Sequence, residues 1–225
     1  MSNSPYDHPD VKHFSSEDQR MTSEQATKEL HEGMKTLEPL GPCVTIFGSG
    51  GTEKDSHYYN LSKDIAYQIG KAGYGILSGG GGGAMEAANV GAQMAQTHSV
   101  GLKVNLPFPQ PANDYIDEGK LLYFEYIHIR KMMFIKYSKS IIVMPGGVGT
   151  LDELFEIYVL VMTMKKERFP VFLVGTDFWK GLLAWMEEQL LKEHNYINPI
   201  DLTLVKMVDS AEEVVEEIER YYACS

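Results

Sequence analysis

The chain has 225 residues, 44% of them hydrophobic, which is enough to bury the core of one sizeable globular domain. Its formal charge is −11 and no basic run stands out, so we expect no nucleic-acid polymer as a partner. A small anionic ligand is compatible with this charge, because backbone N–H groups and one or two arginines can bind it locally.

The cysteines and the apolar segments narrow the class of protein further. Cys43 and Cys224 lie far apart without a motif, which argues against a disulfide scaffold or a zinc site. The amino terminus lacks the apolar segment of a signal peptide, and no apolar run approaches the ~18 residues of a membrane helix. These features predict a cytoplasmic protein that binds no membrane and no metal.

The first part of the chain differs from the rest in composition and in the lack of a periodic apolar pattern. Residues 1–20 are polar and charged without periodicity, which predicts a flexible amino-terminal arm. We expect residues 21–225 to form a single domain. An apolar stripe at helical spacing begins after Ser23 and ends before Pro39, and it predicts the first helix of that domain.

Three apolar strands are each followed by a glycine-rich turn and then by a helical pattern. The predicted strands and their turns are 43–47 with GSGG (48–51), 74–77 with five glycines (79–83), and 141–144 with PGGVG (145–149). Further strands are predicted at 100–104, 171–174 and 203–207, and further helices at 56–71, from His128, at 178–191 and at 211–222.

Strands that alternate with helices are typical of a doubly wound, mostly parallel α/β sheet with helices on both faces. Ligands of such sheets bind beyond the carboxyl ends of the strands, so we expect the three glycine turns to lie on one rim. Glycine lets an anion approach the backbone, and a helix start offers unpaired N–H groups to it. None of the turns matches a dinucleotide fingerprint or a P-loop, which favours a mononucleotide or a sugar phosphate as the ligand.

The sequence TLDE (150–153) leaves two interpretations of Glu153 open. It fits a capping box with Thr150 at the N-cap and Glu153 at N3, in which the glutamate only stabilises the helix start. Alternatively, Glu153 presents a carboxylate to a ligand one turn inside the helix.

The motifs together resemble those of the LOG-like family, named after the plant enzyme that releases cytokinin bases and formerly labelled lysine decarboxylases. PGGVGTLDE (145–153) is similar to the family's PGGxGTxxE signature, and SGGGGGAMEAAN (78–89) to its GGGxGxM segment. FGSG (47–50) and the pair Arg130-Lys131 also match in place. The resemblance covers roughly residues 42–222.

The resemblance implies a Rossmann-like fold and a phosphoribohydrolase activity. Such an enzyme hydrolyses the N-glycosidic bond of AMP or of a cytokinin riboside monophosphate, and it releases the free base and ribose 5-phosphate. Arg130 and Glu153 are implied as the catalytic residues. The expected substrate-binding residues are Gly48, Ser49, Gly80, Gly81, Met85, Glu86, Lys131, Gly146, Gly147, Val148, Gly149 and Thr150.

No motif identifies a pyridoxal phosphate site, so we expect no cofactor and discount the decarboxylase label. The alternative function is a non-catalytic carrier that binds a nucleotide or a phosphorylated cofactor without cleaving it. The presence of both Arg130 and Glu153 favours the enzyme.

The helix after Thr150 continues with Leu160-Val161-Met162, so apolar residues occupy more than one of its faces, which predicts a homodimer.

Overall fold

One sheet of seven parallel strands forms the centre of the molecule. The computed structural model describes residues 22–107 and 110–223, so the predicted arm at 1–20 lies outside the described residues. The strands are β1 (Cys43–Phe47), β2 (Gly75–Ser78), β3 (Ser99–Val104), β4 (Leu121–Phe124), β5 (Ser138–Val143), β6 (Val171–Val174) and β7 (Lys206–Val208). They lie in the order β4-β3-β2-β1-β5-β6-β7, which confirms the predicted fold class.

Helices cover both faces of the sheet. They are α1 (Ser23–Leu37), α2 (His57–Lys71), α3 (Ala84–Ala95), α4 (Ile127–Tyr137), α5 (Val148–Met162), α6 (Thr176–Trp185), which continues as a π-helix over Met186–Glu193, and α7 (Ala211–Ala223). Helices α2, α3 and α7 form one apolar core with the sheet, and α1, α4, α5 and α6 form the other. Successive side chains of a strand point to opposite faces, so β1 contributes Val44 and Ile46 to one core and Cys43 and Phe47 to the other. No helix within the described residues has both the length and the apolar character required to cross a membrane.

The strand order reverses its direction between β1 and β5. The chain adds β2, β3 and β4 on one side of β1 and then returns to place β5 on the other side. After β1 it continues into α2 on one face, whereas after β5 it continues into α5 on the opposite face. Loops that leave neighbouring parallel strands toward opposite faces open a crevice between them. The turns at 48–51, 79–83 and 146–149 follow β1, β2 and β5, so the structure confirms their position on one rim.

Helix α1 fixes the start of α4 through a buried carboxylate. Glu29 on α1 is 3% exposed, and its Oε1 accepts hydrogen bonds from the N–H of Glu125 at 3.0 Å and from Nε2 of Gln25 at 2.9 Å. Its Oε2 accepts one from the N–H of Tyr126, the N-cap residue of α4, at 3.4 Å. The N-cap residue makes no side-chain cap of its own, so Glu29 supplies the negative charge that a helix start favours.

Replacement of Glu29 tests this anchor. We expect Glu29→Ala to lower the free energy of unfolding by about 1–3 kcal/mol, because the backbone N–H groups of Glu125 and Tyr126 lose a charged acceptor. Urea denaturation measures the change, and Glu32→Ala, at an exposed position of the same helix, should alter stability by less than ~0.5 kcal/mol. Equal effects of the two substitutions would show that Glu29 does not anchor α4.

Candidate functional site

A cavity of about 340 Å³ lies in the crevice at the carboxyl ends of β1 and β5. Three helices (α3, α4 and α5) and the three glycine turns contribute to its wall, together with the end of β3 and the segment that follows it. The lining residues are Phe47, Gly48, Ser49, Gly50, Gly79, Met85, Val104, Leu106, Gln110, Arg130, Phe134, Gly147, Gly149, Thr150 and Glu153.

The first two glycine turns contact each other so closely that they exclude side chains. Gly83 has a φ of +63°, and a Cβ added there would lie 2.4 Å from the carbonyl oxygen of Ser49. A Cβ at Gly48 would lie 2.7 Å from the Cβ of Ala84. The N–H of Ala84 donates to the carbonyl oxygen of Ser49 at 3.0 Å, which joins the start of α3 to the first turn. The two turns therefore form one continuous wall of the cavity.

A buried polar network holds the run of five glycines in one shape. Oγ of Ser78 accepts a hydrogen bond from the N–H of Gly80 at 3.0 Å and donates to Oδ1 of Asn89 at 2.6 Å. Nδ2 of Asn113 donates to the same Oδ1 and to the carbonyl oxygen of Gly81, each at 2.9 Å. The ordered glycine turn thus depends on two asparagines that the sequence analysis did not select.

Arg130 and Glu153 form a buried ion pair that joins α4 to α5. Nη2 of Arg130 lies 3.0 Å from Oε1 of Glu153, whose residue is 5% exposed, and the Arg130 side chain is 19% exposed. The guanidinium also lies 5.7 Å from the ring centroid of Phe134, one turn further along α4. Among the described residues, the buried Nε of Arg130 has no hydrogen-bond partner, so the guanidinium retains a free donor beside the cavity.

The structure shows that the capping-box prediction for Thr150 and Glu153 is wrong. Helix α5 begins at Val148 with Gly147 as its N-cap residue, so Thr150 already lies inside the helix. The carbonyl oxygen of Gly147 accepts hydrogen bonds from the N–H groups of Thr150 at 3.0 Å and Leu151 at 3.1 Å. Glu153 therefore lies beyond the first helical turn, and its carboxylate bonds Arg130 instead of the helix start.

Burial changes the acidity of Glu153. Loss of solvent raises the pKa of its carboxyl to about 7, against the opposing charges of Arg130 and Lys131. A carboxyl group with this pKa can hold or release a proton near neutral pH, as general acid–base catalysis requires. The geometry provides an acid–base group and a guanidinium within one cavity.

Six of the predicted binding residues line the cavity with Arg130 and Glu153, namely Gly48, Ser49, Met85, Gly147, Gly149 and Thr150. The other six, Gly80, Gly81, Glu86, Lys131, Gly146 and Val148, lie outside its lining. Nζ of Lys131 bonds Asp152 at 3.0 Å and Glu156 at 2.9 Å, and Oε1 of Glu86 accepts a hydrogen bond from the Tyr59 hydroxyl at 2.9 Å. Val148 is 82% exposed at the start of α5. The roles of all twelve residues in binding stay predictions.

Several lining residues were missed by the sequence analysis. Phe134 carries a usable signal, because it follows Arg130 by one helical turn and so faces the same side of α4. Val104, Leu106 and Gln110 come from the end of β3 and the loop that follows it, where no periodicity or motif indicates which side chain turns inward.

Known proteins resemble this chain in sequence and in fold. A family model described as possible lysine decarboxylase matches residues 85–218. A cytokinin riboside 5′-monophosphate phosphoribohydrolase of Arabidopsis thaliana is 24% identical over 183 residues, which cover 80% of this chain and 83% of the relative. Among solved structures, the molybdenum cofactor binding protein of Rippkaea orientalis matches with a TM-score of 0.58 at 21% identity, over 81% of this chain and 98% of that one. The molybdenum cofactor carrier protein of Chlamydomonas reinhardtii matches with a TM-score of 0.55 at 20% identity, over 81% and 99% of the two chains.

These matches define the class of protein. The sheet, its helices and the solved structures agree on a Rossmann-like α/β fold. Since the family model spans more than half of the sequence, the chain belongs to the LOG-like family that carries the possible lysine decarboxylase description.

The raised pKa of Glu153 makes the stability of the protein depend on pH. The pKa in the fold, about 7, exceeds the ordinary value of 4.5, so the stability contributed by the protonated carboxyl is present at low pH. It is lost progressively as the pH rises from about 4.5 to about 7, by on the order of 3 kcal/mol in all. The variant Glu153→Gln cannot ionise and should lack this loss.

Urea denaturation at pH 5 and pH 8 measures the effect. We expect the parent protein to lose stability relative to Glu153→Gln between these values. Glu118→Gln, at an exposed position, should follow the parent at both pH values. A constant difference between parent and Glu153→Gln would mean that the carboxyl has an ordinary pKa in the fold.

Proposed function

We propose that the protein is a phosphoribohydrolase that hydrolyses the N-glycosidic bond of a nucleoside 5′-monophosphate, such as AMP or a cytokinin riboside monophosphate. The products are the free base and ribose 5-phosphate. The observation that carries this proposal is the buried pair of Arg130 and Glu153 in a cavity walled by glycine turns. The name of the relative from Arabidopsis thaliana agrees with it.

The cavity suits a ligand with a phosphate group. Its volume of about 340 Å³ lies within the roughly 300–1,000 Å³ of small-molecule sites. Helix α5 starts at this rim, and the first N–H groups of a helix have no partner inside it. Gly147 and Gly149 leave the backbone open to a ligand, since a Cβ at either position would contact nothing within 4 Å. A 5′-phosphate placed there would receive backbone hydrogen bonds and a favourable helix dipole.

The pair of side chains supplies what glycosidic cleavage needs. The bond between C1′ and the base nitrogen breaks through a sugar cation of oxocarbenium character. The ionised Glu153 carboxylate would stabilise this cation, orient a water toward C1′ and accept a proton from it. Arg130, held by its 3.0 Å contact to Glu153, would stabilise the electron pair that leaves with the base, which then takes up a proton.

The carrier remains the alternative function, because a site that binds a phosphate need not cleave the ligand. The likeness to the molybdenum cofactor proteins concerns the fold, at 20–21% identity. The acid–base group favours the enzyme, since binding alone does not require it.

Incubation with AMP and with adenosine tests the proposal, with free adenine measured by chromatography. We expect adenine from AMP and none from adenosine, because each lost charge-assisted hydrogen bond to the phosphate costs about 1.5–3 kcal/mol. Glu153→Gln should bind AMP but release adenine at least ~10²-fold more slowly, on the scale of a removed acid–base group. Glu118→Gln is the control and should keep the parent rate.

Other outcomes identify the alternatives. Binding of AMP without release of any base by the parent protein would support the carrier. Equal turnover of adenosine would show that the glycine turns do not bind a phosphate. Release of adenine by Glu153→Gln at the parent rate would remove Glu153 from the mechanism, and Glu86 would be the next carboxylate to replace.

We also infer that two copies of the chain associate. Val148, Val159 and Met162 on α5 and Met132 on α4 expose large apolar side chains, although both helices already cover the sheet. Single exposed apolar residues are common, but several on two adjacent helices are typical of an interface. Self-association would bury them in a symmetric homodimer.

Light scattering at micromolar concentration checks this inference. We expect the mass of a dimer for the parent protein and a shift toward the monomer for Val159→Lys, which places a charge in the apolar interface. Tyr196→Lys, at an exposed aromatic residue outside α4 and α5, should remain a dimer. A monomeric parent protein would contradict the inference.

A further inference from the structure

A second and larger cleft lies at the opposite end of the sheet, against the amino ends of β1, β5 and β6. Its volume is about 600 Å³. The segments before β1 and β6, the junction of α4 with β5 and the end of α7 form its walls. The six residues of β5 separate it from the glycine rim by roughly 17 Å, so the two concavities are distinct.

Three lysines line this cleft, and each has its ammonium group over an aromatic ring. Nζ of Lys136 lies 5.4 Å from the ring centroid of Tyr137, Nζ of Lys139 lies 5.6 Å from that of Tyr222, and Nζ of Lys166 lies 5.1 Å from that of Phe169. Within residues 22–107 and 110–223, none of the three forms an ion pair with a carboxylate. Lysines without an ion pair are unusual in a chain of formal charge −11, where acidic partners are abundant.

The three ammonium groups repel one another across the cleft. Partial burial lowers the pKa of Lys166, and the charges of Lys139 and Lys136 lower it further, against the attraction of Glu167. Glu167 and Glu38 also line the cleft, but among the described residues neither carboxylate lies within 4.0 Å of an ammonium group. Lys136, Lys139, Lys166 and Arg168 outnumber the two carboxylates of the lining, and a surplus of positive charge that folding brings together is a site where an anion stabilises the structure.

The cleft also holds a polar group without a partner. The hydroxyl of Tyr137 is buried and, within the part of the chain that the structure describes, makes no hydrogen bond. A buried hydroxyl without a partner is costly. Tyr137 thus adds an unused hydrogen-bond donor to the residues that line the cleft.

We propose that this cleft is a second ligand site, which binds a small phosphorylated molecule that carries at least two negative charges. Lysine is a phosphate binder that acts as a point charge, and three of them match a compact polyphosphate group better than a single carboxylate. The concave shape and the acidic remainder of the molecule favour a small molecule over a polymer. The site does not depend on the proposed enzymatic activity, because no lining residue is shared between the cleft and the glycine-walled cavity.

Calorimetric titration with inorganic pyrophosphate tests the proposal, with the full chain as parent. The variant Lys139→Gln/Lys166→Gln removes two of the three charges. The matched control, Lys71→Gln/Lys165→Gln, removes two exposed lysines outside the cleft and includes the direct neighbour of Lys166. We expect the cleft variant to bind pyrophosphate at least ~10-fold more weakly than the parent, and the control to bind within ~3-fold of it, at equal ionic strength.

A second measurement separates this site from the glycine rim. Pyrophosphate should raise the melting temperature of the parent and of the control, and this rise should be lost in the cleft variant, while adenine release from AMP stays at the parent level in all three. If the cleft variant fails to fold, Lys139→Gln alone, at an exposed position, should weaken binding at least ~3-fold. The proposal is overturned if the parent does not bind millimolar pyrophosphate, or if the cleft variant binds it as the parent does.

Discussion

The buried ion pair between Arg130 and Glu153 is the interaction on which the site depends. Removing two charges from water is costly, and a buried pair persists only where the surrounding structure holds both partners in contact. Here α4 and α5 lie on the same face of the sheet, and Glu29 of α1 holds the start of α4. Lys131 adds a second contact between α4 and α5, because its ammonium group forms ion pairs with Asp152 and Glu156 of α5. Lys131, the neighbour of Arg130, thus stabilises the contact between α4 and α5 without lining the cavity.

The glycine turns present a different physical problem, since ordering five glycines opposes folding through the loss of backbone entropy. The network of Ser78, Asn89 and Asn113 compensates for this loss with hydrogen bonds that are buried or partly buried, where they are stronger than in water. Contacts between the first two turns are so close that only glycine fits at Gly83. A rigid wall of backbone results, which can approach a ligand without side chains in between.

The two ends of the sheet differ in whether their positively charged side chains are paired with carboxylates. At the carboxyl ends, the one arginine of the cavity is neutralised by Glu153, and the open backbone remains the main feature that can receive an anion. At the amino ends, three lysines that have no carboxylate partner among the described residues line a wider cleft. These three positive charges lie at a place remote from the catalytic candidates.

The order of apolar runs and glycine turns was enough to determine the fold class and the shared rim, whereas the choice of Arg130 and Glu153 as catalytic candidates came from the resemblance of the motifs to the LOG-like family. Parallel strands force their carboxyl ends to one edge, and this consequence follows from sequence pattern alone. Only the tertiary structure decided what each side chain contacts. The capping box of Thr150 and Glu153 failed because the helix starts at Val148 and because Arg130, 23 residues away in sequence, competes for the carboxylate. Likewise Lys131 forms an ion pair with α5 and does not line the cavity, whereas Gln110, from an irregular loop, does line it. Periodicity encodes which face of an element is buried, whereas the partner of a polar side chain depends on which elements become neighbours in space.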